Sequence, residues 1–234
     1  MKLSILIPVH NEQATLRQVL DATLEANIGS WSKEIIAVND GSSDGTEKIL
    51  RDFASKYPAK FRFVSHGRNL GKGSAINTAL ALAGGDYVVI QDADLEYSPA
   101  EFIKLLSQIR PGGKLAAVFG NRGVKRHPQR GWHYVLGAKL LTWTFDLLFW
   151  QRLSDLYTCY KLFPKSAITQ VESSGFEMEV ELAAKLCQQG AAILEVPIDY
   201  HPRSKIQGKH IGFKDAVWGF WAIWKYRVKY LLDR

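Results

Sequence analysis

Three acidic residues at alternate positions, Asp92, Asp94 and Glu96, follow an apolar run in the segment VVIQDADLEYSP (residues 88–99). Like charges at the end of a buried strand repel one another and lose hydration, so they are costly unless a cation balances them. A DxD sequence in this position is typical of a site where Mg²⁺ or Mn²⁺ bridges carboxylate and diphosphate oxygens. A solvated loop is the alternative, because a bare DxD pair often arises by chance.

Two further loops carry residues suited to a nucleotide. In NDGSSDGT (39–46), the carboxylate of Asp40 could accept from the N–H edge of a nucleobase while the backbone around Gly41 approaches a ribose. In GRNLGKGSA (67–75), Lys72 stands at a predicted helix start, where backbone amides can bind phosphate. The alternative for both loops is structural, a tight turn and a glycine-rich helix start. Neither loop has the GxxxxGK[ST] or GxGxxG pattern.

The elements that must position these loops alternate along the first 120 residues. Short apolar runs followed by helical patterns predict an α/β fold, with a mostly parallel sheet flanked by helices. Ligands bind such sheets at the carboxyl ends of the strands, and every polar cluster above follows a predicted strand, so we expect one cleft. The predicted strands are residues 3–9, 34–38, 61–65, 87–91, 115–120 and 192–200, and the predicted helices are 12–27, 46–56, 74–85, 131–150, 177–190 and a tryptophan-rich C-terminal segment.

Composition narrows the classes of function. The chain of 234 residues has a net charge of +7 and only two cysteines, Cys159 and Cys187, without metal-ligand spacing. This favours a reducing compartment and argues against a disulfide framework or a zinc site. The apolar runs at 140–150 and 216–224 are shorter than the roughly 20 residues that cross a bilayer, so we expect a soluble or surface-lying protein. Residues 102–145 contain eight basic residues and no acidic ones, which suits an anionic partner.

These motifs together carry a family resemblance. SILIPVHNEQATL, VNDGSSDGT, GRNLGKGSAINTAL and VIQDADLEYSP, in this order, resemble the donor-binding half of family 2 glycosyltransferases with a GT-A fold. GNRG, DLYTCYKLF, GFEMEVELAAKL and VPIDYHPRSKIQGKHIGFKDAVWGFWAIWKYR resemble the branch containing dolichyl- and polyprenyl-phosphate mannose and glucose synthases. The resemblance implies a catalytic domain over residues 1–210, with a nucleotide-sugar half (1–120) and an acceptor half (121–210), followed by a C-terminal amphipathic helix (211–234).

The resemblance also implies an activity, the inverting transfer of a hexose from a UDP- or GDP-sugar to a polyprenyl phosphate, assisted by Mg²⁺ or Mn²⁺. Asp92, Asp94 and Arg122 would be the catalytic residues, with the two aspartates on the metal and Arg122 on the acceptor phosphate. Glu96 would be a third metal ligand, although many relatives carry glutamine there, which leaves its role open. The nucleotide-binding residues would be Pro8, His10, Glu12, Asp40, Gly41, Lys72 and Asp92. The acceptor- or diphosphate-binding residues would be Arg122, Arg126, Arg130, Lys161, Arg203 and Lys209.

The acceptor class rests on a chemical argument. A lipid phosphate is already ionised and needs only positioning and charge neutralisation, whereas a sugar hydroxyl needs a base. Glu177 and Glu179 are the candidate bases for a hydroxyl acceptor, and their alternative role is to favour the start of a helix through its dipole. A family 2 transferase with a glycan or small-molecule hydroxyl acceptor therefore stays open. A nucleotidyltransferase and a non-enzymatic lipid-surface module are more distant alternatives.

The final helix bears on location. At about 100° per residue, one stripe of it fits docking on the protein's own domain: Phe213, Val217, Phe220, Trp224, Val228 and Leu231. A neighbouring face mixes Trp218 and Trp221 with lysines, which is typical of a helix at a membrane interface. We therefore expect a peripheral protein on the cytoplasmic face of a membrane, with a separate membrane-anchoring subunit as a candidate partner and no nucleic acid.

Overall fold

The computed structural model describes residues 1–110, 115–123, 132–175, 177–202 and 213–232. Within these ranges a seven-stranded sheet runs through the centre, in the order β3-β2-β1-β4-β6-β5-β7. The strands are β1 Lys2–Val9, β2 Ser32–Asn39, β3 Phe61–Ser65, β4 Tyr87–Ile90, β5 Ala116–Asn121, β6 Lys161–Pro164 and β7 Ala192–Pro197. The helices are α1 Leu16–Glu25, α2 Thr46–Lys56, α3 Lys72–Leu82, α4 Phe102–Leu106, α5 Trp132–Phe149, α6 Met178–Gln188 and α7 Phe213–Leu232.

The sheet is mostly parallel, as predicted. Strands β1 to β4 pair in parallel with one another, and β5 pairs in parallel with β7. The exception is β6, which lies antiparallel between β4 and β5. The sequence pattern misses β6, because the strand has only four residues and begins with Lys161, a charged residue that breaks the apolar run.

The core explains why the first strands are continuous apolar runs. Leu3, Ile5, Leu6 and Ile7 in β1 are all 0% exposed, although consecutive residues of a strand face opposite sides of the sheet. Both faces of the sheet are therefore covered by helices, as expected for parallel strands. This rigid sheet places the carboxyl ends of β1, β2 and β4 side by side.

Several element boundaries agree with the sequence-based prediction. Helix α2 and strand β3 have the predicted bounds, and α3 begins at Lys72, two residues before its predicted start. Among the described residues, no helix has both the length and the apolar character needed to cross a bilayer. The proposed division of the chain at residues 121 and 211 stays a prediction.

Candidate functional site

The loops after β1 and β2 are joined by hydrogen bonds at the carboxyl edge of the sheet. The side-chain oxygen of Asn11 accepts from the Ser43 amide (2.8 Å), and the Asn11 amide donates to Ser42 Oγ (3.0 Å). Asn11 has a φ of 54°, a left-handed conformation that asparagine tolerates better than most residues. The two loops predicted to contact a nucleoside therefore form one rim.

Three residues predicted to line the nucleoside pocket lie on this rim. Pro8 is partly exposed near the end of β1, and His10 is exposed with its Nδ1 2.9 Å from the carbonyl oxygen of Asp40. Glu12 accepts a hydrogen bond from Thr15 Oγ1 (2.8 Å), so its carboxylate also organises the start of α1. The structure brings the three residues together, and their contact with a nucleoside stays a prediction.

Asp40 is used differently from the sequence-based interpretation. It is buried, and its carboxylate accepts hydrogen bonds from the amides of Leu70 (3.0 Å) and Gly71 (2.8 Å) and from a ring nitrogen of His66 (2.7 Å). Its oxygens therefore hold the loop that precedes α3. The carboxylate thus has a structural role that the sequence did not indicate, and its contact with a nucleobase stays a prediction.

Gly41 explains how closely the two loops approach each other. Its φ is +66°, and a Cβ atom built on it would lie 2.3 Å from the carbonyl carbon of Arg68. Both the backbone conformation and the contact exclude a side chain here. The close approach of the two loops therefore requires a glycine at position 41, which was predicted to approach a ribose.

Lys72 and Asp92 meet directly in the cleft. The Lys72 ammonium, at the first residue of α3, lies 2.7 Å from Asp92 Oδ1, and the Asp92 side chain is 23% exposed. Glu179 Oε1 lies 3.6 Å from the same ammonium. Although burial favours the neutral amine, Asp92, Cys159 and Glu179 together raise the pKa of Lys72 well above its ordinary value. The predicted phosphate-binding lysine is thus cationic and sits at the DxD sequence.

Lys161 lies inside the protein rather than at an acceptor surface. It is 0% exposed, and its ammonium donates to Glu179 Oε2 (2.5 Å) and to the carbonyl oxygens of Thr158 (2.5 Å) and Leu156 (3.0 Å). An ammonium has three donors, so these contacts use its full capacity. The predicted contact between Lys161 and an acceptor or diphosphate is therefore replaced by a structural role.

The three acids of the DxDxE segment do not form one cluster. Asp94 Oδ1 accepts from the Glu96 amide (3.0 Å), whereas the buried Glu96 carboxylate accepts from Tyr200 Oη (2.7 Å). Among the described residues, no group of three or more His, Cys, Asp or Glu side chains is arranged to hold a metal ion. The three-ligand set is thus not assembled, because Glu96 packs against Tyr200. Asp92 and Asp94 are partly exposed carboxylates at a strand end, which fits a hard divalent cation.

Arg122 is engaged by a partner that the sequence did not reveal. Its guanidinium donates to both carboxylate oxygens of Asp155 (2.6 and 2.7 Å), and the pair is buried. Although burial opposes ionisation of Asp155, Arg122 outweighs it and lowers the pKa of that carboxyl. A guanidinium has five N–H donors and this pair uses two of them, so the contact of Arg122 with an acceptor phosphate stays a prediction. The other predicted phosphate-binding residues, Arg126, Arg130, Arg203 and Lys209, lie outside the described residues.

Two site residues escaped the sequence reasoning. Asp155 neutralises Arg122, and Tyr200 fixes Glu96 and lies with its ring 5.3 Å from the Arg122 guanidinium carbon. Both fall in segments that carry the family resemblance, DLYTCYKLF and VPIDY. Their position in these segments was the signal that could have identified them, because a single Asp or Tyr in a loop forms no recognisable motif.

The comparison with known families decides the assignment. Residues 4–171 match the model of the glycosyl transferase family 2. The chain belongs to this family. Dolichol-phosphate mannosyltransferase of Pyrococcus furiosus is 27% identical over 221 residues, which cover 90% of this chain and 61% of that protein. Undecaprenyl-phosphate 4-deoxy-4-formamido-L-arabinose transferase of Aeromonas hydrophila is 31% identical over 157 residues, 67% of this chain and 46% of that protein.

These relatives confirm the predicted resemblance to family 2 and its polyprenyl-phosphate branch. The chain spans less than two thirds of the length of either relative. Among solved structures, glucosyl-3-phosphoglycerate synthase from Mycobacterium tuberculosis in complex with UDP is similar, with a TM-score of 0.72 and 21% identity, covering 97% of this chain and 80% of that chain. Its complex with Mn²⁺, UDP-glucose and phosphoglyceric acid gives a TM-score of 0.71. The GT-A fold is confirmed, and at this identity the likeness concerns the fold alone.

Helix α7 packs against the rest of this family 2 protein through a face that differs from the predicted one. Ala222, Ile223 and Tyr226 are buried, and Tyr226 Oη donates to Glu181 Oε2 (2.7 Å) and lies 2.9 Å from Ser173 Oγ. Four residues of the predicted docking stripe are instead more than half exposed: Val217, Trp224, Val228 and Leu231. The prediction was wrong because the stripe richest in apolar residues was assumed to be the buried one, whereas Ala222, Ile223 and Tyr226 fill the contact.

Helices α5 and α7 of the family 2 protein share an exposed apolar surface, which we call the α5–α7 face. Arg227 of α7 stacks over Trp150 at 4.7 Å, and the rings of Phe149 and Tyr230 lie 6.0 Å apart, so the helices pack together. At about 100° per residue, the exposed positions of α7 form an arc of roughly 140°. The face comprises Leu136, Leu140, Trp143, Leu147, Trp150, Val217, Trp218, Trp221, Trp224, Val228, Leu231 and Leu232, each 48–80% exposed.

Proposed function

We propose that this protein is an inverting hexosyltransferase that moves a hexose from a UDP- or GDP-sugar to a polyprenyl phosphate at a membrane surface. The observation that carries the proposal is the α5–α7 face, with five tryptophans more than half exposed. A soluble acceptor gives no reason for such a surface, whereas a polyprenyl phosphate resides in a bilayer and requires the enzyme to reach it. The names of the two relatives above support the same acceptor class.

The donor side follows from the cleft residues. Asp92 and Asp94 would hold Mg²⁺ or Mn²⁺, which neutralises negative charge on a departing diphosphate when bound. Lys72 supplies a fixed positive charge beside them, since its ammonium lies 2.7 Å from Asp92 Oδ1. The loops at Asn11 and Gly41 would receive the nucleoside, and the joined rim they form keeps this pocket preorganised.

The acceptor side favours a phosphate over a hydroxyl. An ionised phosphate oxygen attacks the anomeric carbon from the side opposite the diphosphate, the bond from that carbon to the diphosphate oxygen breaks, and no proton has to be removed. A hydroxyl acceptor needs a base, and the Glu179 carboxylate is held between the Lys161 and Lys72 ammonium groups. Both oxygens of Glu179 are thus already engaged by ammonium groups. Glu177 is the remaining candidate base for the hydroxyl alternative.

The α5–α7 face would place the protein on the cytoplasmic side of a membrane. Exposed Lys139 lies on α5, and the ammonium of Lys225 is 5.2 Å from the Trp221 ring. Aromatic residues interleaved with cations suit the interface between lipid headgroups and acyl chains. A membrane-anchoring subunit is the alternative occupant of this face.

The test is a transfer assay. Radiolabelled UDP- and GDP-hexoses are each incubated with the protein, Mn²⁺ or Mg²⁺, and vesicles containing polyprenyl phosphate, and the organic phase is counted. We expect an organic-extractable sugar lipid, released nucleoside diphosphate, and no product from Asp92→Asn. Failure of every donor to label the organic phase would overturn the proposal. A labelled water-soluble product would favour the hydroxyl alternative, and release of pyrophosphate would favour a nucleotidyltransferase.

A further inference from the structure

Four charged side chains alternate in sign through the floor of the cleft. Lys161 Nζ lies 2.5 Å from Glu179 Oε2, Glu179 Oε1 lies 3.6 Å from Lys72 Nζ, and Lys72 Nζ lies 2.7 Å from Asp92 Oδ1. The two carboxylates and two ammonium groups sum to zero charge. The row runs from the fully buried Lys161 to Asp92 at the predicted donor site.

The buried end of the row is fixed. Lys161 is surrounded by three acceptors, so its ammonium has no freedom to turn toward a ligand. It therefore fixes one oxygen of Glu179, whose side chain is 6% exposed. The other oxygen of Glu179 faces Lys72, whose side chain is 32% exposed and opens α3 beside the cleft.

We propose that Glu179 is a positioning residue that holds Lys72 for the donor diphosphate, an inference that rests on the proposed function. Asp92 is one of the residues that would hold the divalent cation, and a carboxylate shared with that cation would offer less of its charge to Lys72. Glu179, anchored by Lys161, then keeps the Lys72 ammonium at the phosphates. In this role Glu179 acts through Lys72 and does not abstract a proton.

The proposal predicts that a change at Glu179 weakens binding of the diphosphate but not of the nucleoside. Glu179→Gln keeps the size of the side chain and a hydrogen bond to Lys161 but removes the charge that faces Lys72. We expect the dissociation constant of UDP or GDP, whichever the wild type binds with Mn²⁺ present, to rise roughly tenfold, within the range of coupling between charged groups in contact. The affinity for the matching nucleoside, uridine or guanosine, should not change, since it carries no phosphate.

The experiment is isothermal titration calorimetry on the full chain without acceptor. The matched control is Glu177→Gln, which removes the same charge two residues earlier and should leave the UDP or GDP affinity unchanged. A double-mutant cycle adds Lys72→Met. If Glu179 acts through Lys72, then Glu179→Gln should have little further effect in the Lys72→Met background. Because Glu179→Gln leaves Lys161 buried without a carboxylate, Lys161→Met/Glu179→Gln is a second variant with the same expected loss.

The outcomes separate this inference from the proposed function. A wild type that binds UDP or GDP, with Glu179→Gln binding it equally well, overturns the inference and leaves the proposed function intact. Additive effects of Glu179→Gln and Lys72→Met also overturn it. Equal losses for the nucleoside and the diphosphate assign Glu179 a general structural role and overturn it as well. A wild type that binds neither UDP nor GDP overturns both.

Discussion

The cleft buries polar side chains, whereas the α5–α7 face exposes apolar ones. At the cleft, polar side chains are taken out of water and held by internal partners, as for Arg122 with Asp155 and Asp40 with the loop before α3. On the α5–α7 face, large apolar side chains such as Trp143 and Trp224 are more than half exposed to water. The cleft residues are therefore coupled to the stability of the fold, whereas the face residues are not.

That difference separates two kinds of functional residue. A buried ion pair costs much to break, so removing one partner affects folding before it affects a ligand. An exposed apolar side chain contributes little to folding, so its effect should be confined to whatever covers it. Mutations in the two regions should therefore differ in size and in the property they change.

The largest effect on stability is expected from Asp155→Ala. The change leaves the Arg122 guanidinium buried, 9% exposed, without its bidentate partner. Removing one member of a buried ion pair costs about 3–5 kcal/mol. We expect a loss of this size in the free energy of unfolding, measured by urea denaturation.

A surface ion pair provides the control for that prediction. Glu47 and Arg51 form a pair one turn apart on α2, with side chains 39% and 68% exposed. Glu47→Ala should cost less than about 1 kcal/mol, because exposed pairs are screened by water. Similar losses for Asp155→Ala and Glu47→Ala would contradict the distinction between buried and exposed pairs.

The next largest effect on stability is expected at the contact between the start of α3 and the segment before α6. A Cβ atom on Gly73 would lie 1.7 Å from the carbonyl oxygen of Ser173, so Gly73→Ala must push the two segments apart. Such overpacking costs about 1–3 kcal/mol, and the shift should weaken nucleotide binding through Lys72. Gly67→Ala is the matched control, since nothing lies within 4 Å of its Cβ position. A Gly73→Ala protein with wild-type melting temperature and nucleotide affinity would show that the contact can relax freely.

The fold was predictable where local pattern and burial agree. Helix α2 and strand β3 have the predicted bounds, because an amphipathic helix and a short strand bounded by turns each leave a local signature. Strand β6 was missed since Lys161 contradicts the apolar pattern of a central strand. Its burial is tolerated only because Glu179, 18 residues later in sequence, lies beside it.

The sequence predicts which loops form the site but not which of their side chains pair with each other. Parallel topology requires the loops after β2, β3 and β4 to share one edge, so the convergence of Asp40, Lys72 and Asp92 followed from the strand order. The pairing of Arg122 with Asp155 and of Glu96 with Tyr200 joins residues 33 and 104 positions apart. Such contacts depend on how loops pack and leave no spacing in the sequence.

Glu181 anchors α7 to the rest of the protein. Replacing it should have an intermediate effect on stability, and that effect should depend on pH. Although burial opposes ionisation of Glu181, hydrogen bonds from Lys185, the backbone amides of Glu172 and Ser173 and the Tyr226 hydroxyl lower its pKa below the ordinary 4.5. Since the pKa in the folded state is depressed, this stabilisation is complete above about pH 5 and is lost as the pH falls through the folded value. We expect wild type to lose more stability than Glu181→Gln on acidification, because only the wild type has this carboxylate to protonate.

Thermal melts of both proteins between pH 7 and pH 3 measure that difference. Glu34→Gln is a useful comparison, because Glu34 also has a lowered pKa but its carboxylate contacts Ser4, Lys2 and Gly84 rather than α7. If α7 is anchored by Glu181, only Glu181→Gln should also increase proteolytic cleavage within α7. Parallel pH profiles of wild type and Glu181→Gln would rule out a stabilising role for the ionised carboxylate.

The smallest effect on stability is expected on the α5–α7 face, from Trp143→Ser/Trp224→Ser. Both side chains are more than half exposed, so the free energy of unfolding should change by less than about 0.5 kcal/mol. Binding to vesicles of anionic phospholipid, measured by co-sedimentation, should fall at least about tenfold, since two interfacial aromatic anchors are lost. Val64→Ser, an exposed apolar residue on β3 at the opposite edge of the sheet, should change neither property. Unaltered vesicle binding in the double variant would assign the face to a protein partner, because the exposed tryptophans would then have no measurable role at a lipid surface.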